Sequence, residues 1–204
     1  MSDQINLKIY QATQTQTKLL TSSFSQMLDD IQELSQWLVE HLDISKPVDV
    51  RIIPSKCTNR TRGEAPFLYT LPDQNRFAVN LYINPTFNAN IFQRYRNTDD
   101  LKCTGKYRIL MKVLCHEFVH VKQYDQDGFY LRCIAGKVIK FWKDEPWVGP
   151  KGATYNAYRN LPWEIEAFGR DYALLDGFYN RKDLLKRNRI SLLSTPSDSG
   201  IIST

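Results

Sequence analysis

Apolar residues recur at helical spacing in two long segments of the chain. The first segment runs from Thr21 to Leu42, and Ser22 or Ser23 can cap its start. Its apolar stripe consists of Phe24, Met27, Leu28, Ile31, Leu34, Trp37, Leu38 and Leu42. The second segment, Lys106 to Asp127, contains no Pro or Gly and is apolar nearly all round, which is typical of a buried helix. The pattern therefore predicts one packing helix and one helix inside the core.

Shorter segments rich in β-branched and aromatic residues are predicted to be strands, because clusters of Pro, Gly, Asn and Asp separate them. They are Val48 to Ile53, Phe67 to Leu71 and Phe77 to Ile83. The last of them alternates apolar with more polar residues, which indicates one core face. Further along, Ile134 to Trp142 with Trp147-Val148 suggests a hairpin or a flap near the binding cleft.

A third helix is predicted from about Pro162, since Pro is tolerated in a first helical turn and acidic residues are favoured there. Its core-facing stripe contains Ala167, Phe168, Leu174, Leu175 and Phe178. At about 100° per residue, Glu164 and Asp171 fall inside this stripe, whereas Glu166 lies about 160° away from Glu164 and faces solvent. A buried carboxylate needs a metal or a cation. The alternative for Glu164 is a first-turn glutamate that only stabilises the helix dipole.

Composition sets the domain count and the compartment. The chain has 204 residues with 42% hydrophobic content, which fits one globular domain. We expect residues 1–20 to form a polar arm or an added strand, residues 21–185 the domain, and residues 186–204 a basic and then Ser/Thr-rich flexible tail. No apolar run approaches the roughly 20 residues that span a bilayer, and no signal peptide is recognised, so a cytoplasmic protein is expected.

Neither the cysteines nor the charge suggests a second kind of site. Four isolated cysteines without a CxxC pair argue against a zinc ribbon and against a disulfide framework: Cys57, Cys103, Cys115 and Cys133. The net charge of +5 is concentrated near the end of the chain, in Arg181, Lys182, Lys186, Arg187 and Arg189. This basic segment either contacts nucleic acid or, as the sequence favours, is a solvated helix end stabilised by the dipole.

Two of the three histidines form the run His116-Glu117-Phe118-Val119-His120 within the predicted core helix. Histidines four apart on a helix share a face, so both imidazoles can reach one Zn²⁺ at about 2.0–2.1 Å, with Glu117 beside it as a base. The alternative is a pair of hydrogen-bonded core histidines. A buried position for two His and one Glu favours the metal site.

A carboxylate is needed to complete such a site. The remaining histidine, His41, belongs to a different predicted helix, and Gln123 and Gln126 occupy the positions where a metzincin would have Gly and a third His. Glu164 is therefore the candidate third ligand. Asp171, two turns later on the same face, either orients a ligand His through its free ring N–H or pairs with a nearby Arg.

This HExxH run followed by a Glu on a later helix resembles the gluzincin group of zinc metallopeptidases. The run Pro162 to Ala167, and Gln123 three residues after His120, look like the small minigluzincin-like peptidases common in phage and mobile-element genomes. The resemblance covers about Arg76 to Phe178. It implies an α+β, zincin-like domain, in which a small twisted sheet packs against the HExxH helix and a ligand-bearing helix lies behind.

The resemblance also implies a function. The protein would be a zinc-dependent peptidase that holds Zn²⁺ through two His and Glu164, with Glu117 as the general base. Its substrate would be an extended peptide or protein segment bound along an edge strand, for which Phe77 to Ile83 is the candidate. Tyr155 or Tyr158 is a candidate stabiliser of the oxyanion.

Two other classes of function stay open at this point. The protein could be a virion, assembly or interaction component whose zinc site is structural, which a fourth protein ligand would indicate. It could also be a protease-fold module tethered to nucleic acid by its basic end, in which case binding would weaken steeply with salt.

Overall fold

The computed structural model describes residues 5–9, 22–54, 62–64, 76–83, 106–149 and 154–193. These residues form four helices and two small sheets, so the mixed α and β content expected from the sequence is confirmed. The helices are α1 (Ser22–His41), α2 (Lys106–Asp125), α3 (Tyr155–Arg159) and α4 (Pro162–Leu193). The first sheet contains β1 (Ile5–Ile9), β2 (Val48–Pro54), β3 (Arg62–Glu64) and β4 (Phe77–Ile83). The second contains β5 (Tyr130–Ile134), β6 (Lys137–Trp142) and β7 (Glu145–Pro146).

Both predicted long helices, α1 and α2, and the predicted strands β2 and β4 are confirmed within a residue or two. The predicted strand from Phe67 to Leu71 lies outside the described residues. The predicted tail begins inside α4, which continues to Leu193 because its Lys, Arg and Leu residues favour a helix.

The first sheet has the strand order β1-β2-β4-β3, in which β3 alone is antiparallel to its neighbour. In the parallel register Val48 pairs with Phe77 and Val50 with Val79, and these four side chains are buried on one face. The segment predicted as an arm or an added strand is, in its described part, strand β1. Ile5 holds it in place, since its side chain is buried in the core.

The prediction that Phe77–Ile83 is an edge strand is wrong. β3 pairs with β4 through Arg62 to Tyr82 and Glu64 to Asn80, so β3 is the edge at this side of the described sheet. Alternation along β4 identifies its buried face, but it carries no information about the strands on either side. The three residues of β3 are also too few to show a pattern of their own.

One core of the described residues joins the first sheet to α1, α2 and α4. Helix α2 contacts β3 and β4 on one side and α4 on the other, which is why it is apolar nearly all round. Trp37 of α1 packs against Phe178 of α4 at a ring separation of 5.8 Å. Beside them Lys182 forms ion pairs with Asp30 at 3.1 Å and Glu33 at 2.5 Å. None of the described helices has the length and apolarity that a membrane span requires.

The second sheet begins just after α2. Gly128 makes the reversal possible: its φ is +66°, and a Cβ there would lie 2.6 Å from the backbone nitrogen of Asp144. The hairpin of β5 and β6 turns at Ala135 and Gly136, both with positive φ, as a two-residue hairpin loop requires. Ile134 therefore ends β5 instead of beginning a strand. The hairpin begins at Tyr130, before the start that the sequence predicted.

A small aromatic cluster fixes this hairpin against the start of α4. Phe129 and Trp163 stack with ring centroids 4.8 Å apart, and Trp142 of β6 lies 5.4 Å from Phe129. Trp147 meets Trp163 edge to face at 5.3 Å. Trp163 is thus held from three sides immediately before Glu164, so the first turn of α4 has a defined position.

Candidate metal centre

Helix α2 presents His116 and His120 on one buried face. Their rings are almost perpendicular, at 87°, with centroids 4.8 Å apart, and the two residues are 8% and 5% exposed. The neighbouring residues Leu114, Phe118 and Val119 are completely buried. In such surroundings an imidazole needs a polar partner, because an unsatisfied buried polar group costs about 1–3 kcal/mol.

Helix α4 supplies that partner. Glu164, 2% exposed, places Oε2 at 3.3 Å from Nε2 of His116 and Oε1 at 3.4 Å from Nε2 of His120. The helix-face prediction that Glu164 is buried is confirmed. Its neighbour in the same turn, Glu166, instead pairs with Arg170 at 3.2 Å.

The three side chains form a buried group that could hold a metal ion, with ligand atoms all within 4.8 Å of one another. Ligand atoms at about 2.0–2.1 Å from one tetrahedral ion are about 3.3–3.4 Å apart. Each imidazole nitrogen lies at about that distance, 3.3 or 3.4 Å, from a different oxygen of the Glu164 carboxylate. In the described part of the chain the group contains three protein ligands.

Within the group, the two imidazoles stabilise the anionic form of the Glu164 carboxylate. Burial acts to raise the pKa of Glu164, but contacts with His116 and His120 outweigh it and lower that pKa to about 2. For His120, burial acts to lower the pKa, whereas Glu164 and the charge of Glu117 raise it above its usual value of 6.5. The negative charge that raises the pKa of His120 would equally attract a metal cation.

Glu117 lies on the same helix between the two histidines. Its residue is 6% exposed, and its charge is among those that raise the pKa of His120, so the carboxylate lies close to the group. It is not among the three residues whose ligand atoms converge. Glu117 therefore lies beside the group without belonging to it.

Asp171 is buried behind His116. Its Oδ2 lies 3.3 Å from Nζ of Lys112 and 3.9 Å from Nδ1 of His116, and the second distance is too long for a hydrogen bond. Burial raises the pKa of Asp171, and Lys112 acts against this. Asp171 therefore lies beside His116 without a hydrogen bond to it, and the cation that pairs with it is Lys112 of α2, where an arginine had been expected as the alternative partner.

The two candidate tyrosines differ in position. The hydroxyl of Tyr158 hydrogen bonds to Glu164 and helps to lower its pKa, so this tyrosine reaches the group. Tyr155, one turn earlier in α3, is 69% exposed, and the guanidinium carbon of Arg159 lies 5.8 Å from its ring. The structure brings Tyr158 to the site and leaves Tyr155 at the surface.

Gln123, which the sequence indicated only as part of the family resemblance and without a role, is a residue of the site. It is completely buried, and its Oε1 lies 2.8 Å from Nδ1 of His120. Its amide nitrogen donates to the backbone oxygen of Trp163 at 2.9 Å and to Glu166 at 3.2 Å. Because both donors of the amide are used in this way, Oε1 accepts from His120 Nδ1–H and leaves Nε2 of that ring for a ligand contact.

The sequence places the polar amide of Gln123 in the predicted core helix, one turn after a histidine. This pattern alone is too unspecific to assign the residue a role. Its contact with Glu166 also corrects the expectation that Glu166 simply faces solvent. The carboxylate is 30% exposed, since Gln123 and Arg170 both reach it.

No model of a known protein family matches the chain, and neither a curated protein nor a solved structure is similar to it.

Proposed function

We propose that the protein is a zinc-dependent peptidase. The observation that carries this proposal is the convergence of His116, His120 and Glu164, all buried, with Glu117 beside them on the same helix. A donor set of two imidazoles and one carboxylate suits zinc, and three protein ligands are typical of catalytic zinc sites with an open position. The packing of α2 between the first sheet and α4 supports the proposal.

Zn²⁺, when bound, supplies a Lewis acid that activates water and polarises a carbonyl group. Glu117 accepts the proton of the attacking water and delivers it to the leaving amine. Gln123 keeps the imidazole of His120 in the tautomer and orientation that a ligand requires. The hydroxyl of Tyr158, which lies beside Glu164, donates to the substrate carbonyl oxygen as negative charge develops there.

The substrate would be an extended peptide or protein segment. Edge strand β3 contacts α2, and backbone hydrogen bonding along an edge strand is a common way to bind an extended chain. We therefore propose that the peptide lies along β3 instead of β4, next to the helix that carries Glu117.

The test of this function combines metal analysis with a cleavage assay on a peptide library. Wild-type protein should bind about one zinc per chain and cleave a subset of peptides. Glu117→Gln should keep its zinc and lose hydrolysis, because a general base is not a metal ligand. Zinc binding without cleavage in the wild type would favour a structural site, and loss of zinc in the variant would contradict the role of Glu117.

A further inference from the structure

Phe168 connects the candidate metal centre with a nearby arginine. It lies on α4 one turn after Glu164, so the two side chains share a face of that helix. The ring of Phe168 contacts the imidazole of His116, with ring centroids 4.5 Å apart. The guanidinium carbon of Arg159 lies 4.5 Å from the centre of the same Phe168 ring. Two ring contacts therefore join a proposed metal ligand to the positive charge of Arg159.

The backbone of Arg159 has a fixed position relative to the first turn of α4. Arg159 ends α3, and the side chain of Thr154 caps the start of that helix. The amide of the buried Leu161 donates to the backbone oxygen of Tyr158 at 3.0 Å, and its own oxygen accepts from Ile165 of α4 at 2.9 Å. These bonds hold the end of α3 against the helix that carries the proposed third ligand.

In the described part of the chain, the guanidinium group of Arg159 contacts aromatic rings and no carboxylate. Its second contact is the ring of Tyr155, at 5.8 Å. Arg108 differs, since it pairs with Asp176 at 2.8 Å. Arg159 is also exposed, so a ligand can approach from solvent. A guanidinium group that stacks on a ring keeps its in-plane N–H donors available for a carboxylate.

A carboxylate of a bound peptide would come within reach of this arginine. Successive residues of an extended chain advance by about 3.3–3.6 Å. A carboxylate one or two residues from the cleaved bond is therefore displaced from it by a distance comparable with the two ring contacts, of 4.5 Å each, between His116 and Arg159. Arginine binds carboxylates through two parallel N–H donors, and such charged hydrogen bonds are roughly twice as strong as neutral ones.

We propose that Arg159 is a specificity-determining residue, which pairs with a carboxylate of the peptide substrate one or two residues from the cleaved bond. This inference rests on the proposed function. The carboxylate has two possible sources: the C-terminus of a short peptide or an acidic side chain. Both present the same group to the guanidinium, and the experiment separates them.

The experiment measures binding to zinc-loaded protein, so that its result does not depend on turnover. The ligands are dipeptides coupled at the N-terminus to a succinyl hydroxamate, whose hydroxamate group chelates zinc. Leucyl-alanine amide is the neutral ligand. Leucyl-alanine adds a free C-terminal carboxylate, and leucyl-aspartyl amide adds a side-chain carboxylate alone. Isothermal titration calorimetry gives the dissociation constant of each ligand.

The variants are Arg159→Met, Arg159→Lys and Arg132→Met. Methionine removes the charge and keeps an apolar stem against the rings, whereas lysine keeps the charge without the paired donors of a guanidinium. Arg132 is the matched control, because it is exposed and its guanidinium carbon lies 5.1 Å from the ring of Tyr130. Its side chain lies on the face of the hairpin opposite to Trp142, the residue that packs on α4.

In the wild type, at least one of the two anionic ligands should bind about tenfold more tightly than the neutral ligand, the effect of one charge-assisted contact. The ligand that shows this preference identifies the source of the carboxylate. Arg159→Met should lose the preference while it binds zinc and the neutral ligand as the wild type does. Arg159→Lys should keep part of the preference and Arg132→Met all of it.

No preference in the wild type, or an undiminished preference in Arg159→Met, would overturn the inference and leave the proposed function standing. Equal weakening of all three ligands in Arg159→Met would also overturn it, since the arginine would then only support the packing of Phe168. The same holds if Arg132→Met loses the preference to the same extent. A wild type that binds no zinc would overturn the proposed function and this inference together. If Arg159→Met does not fold, Arg159→Gln is the second neutral variant, judged by the same criteria.

Discussion

At the scale of single residues, the centre depends on which carboxylate of the first turn of α4 is buried. Glu164 and Glu166 are the same residue type two positions apart, yet one touches both histidines and the other meets Gln123 and Arg170. This pair allows the ligand assignment to be tested by two matched substitutions.

Glu164→Ala should reduce zinc occupancy sharply, because it removes one of the three protein ligands. Glu166→Ala should keep its zinc and cost about 1 kcal/mol of stability or less, since it removes only partly exposed contacts. Bound zinc is measured by mass spectrometry under native conditions. Equal occupancy in both variants, or the reverse order, would show that the wrong glutamate has been assigned.

Gln123 provides a second test, because it touches one ligand and holds the backbone before another. Gln123→Met should weaken zinc binding by about 10–100-fold, as is typical when the group that orients a ligand His is lost. Competition with a chromogenic chelator gives the affinity.

Gln126→Met is the control for that measurement. Gln126 lies three residues on in the sequence, and its amide donates to the backbone oxygens of Leu42 and Asp43 away from the centre. Its substitution should lower the melting temperature without changing zinc affinity. An affinity unchanged in Gln123→Met as well would mean that His120 needs no orienting partner.

Glu164 and Gln123 show which features of the site could be predicted from the sequence and which could not. Periodicity identified the burial of Glu164, because the helix itself determines the angle between positions. The contacts of Gln123 could not be predicted in that way. Its partners include the backbone oxygen of Trp163 on another helix, and the approach of two helices depends on packing that no local pattern records.

At the scale of elements, strands and helices with clear periodicity were predicted well, and the order of strands was not. Alternation in β4 reported its buried face, whereas its neighbours β2 and β3 come from separate parts of the chain. Strand β1 likewise depends on pairing: it is short, and β2 supplies its hydrogen-bond partners.

Deleting residues 1–9 should therefore destabilise the protein without abolishing metal binding. The deletion exposes the edge of β2 and the core around Ile5, whose burial is worth roughly 1.5–3 kcal/mol, and breaks the ion pair between Lys8 and Asp49 at 2.8 Å. The ligands lie on α2 and α4, which keep their mutual contacts. Thermal denaturation and zinc analysis of the truncated protein check both parts, and loss of zinc at a temperature where the protein is folded would contradict the second.

At the scale of the whole molecule, the pKa values of the centre predict how stability depends on pH without metal. The pKa of Glu164 is lowered from 4.5 to about 2, so its contribution is complete above pH 4.5 and is lost as pH falls towards 2. The pKa of His120 is raised from 6.5, so its contribution is complete below pH 6.5 and is lost as pH rises through the raised value. The contact between the two residues contributes to both shifts, while His116 and Tyr158 also lower the pKa of Glu164 and Glu117 and Gln123 also raise that of His120.

The metal-free protein should therefore gain most from this contact between about pH 4.5 and 6.5. Zinc requires neutral imidazoles, so its stabilising effect should grow as pH rises across the same interval and beyond it. Melting temperatures from pH 4 to about pH 8.5, with chelator and with excess zinc, give the two curves. A difference between them that shrinks as pH rises would contradict the assigned protonation states.

The separation of the ligands along the chain has a kinetic consequence. Two of the proposed ligands lie on α2 and the third on α4, and the segment between His120 and Glu164 includes the whole second sheet and α3. A metal bound to all three closes this segment into a loop, as a cross-link would, and restricting a loop of this size in the unfolded chain is worth up to about 4 kcal/mol. With zinc bound as proposed, α2 and α4 could not separate until the ion left, so the lifetime of the folded state would be tied to the rate of zinc release. Zinc supply in the cell would then control how long each molecule persists, as well as whether it is active.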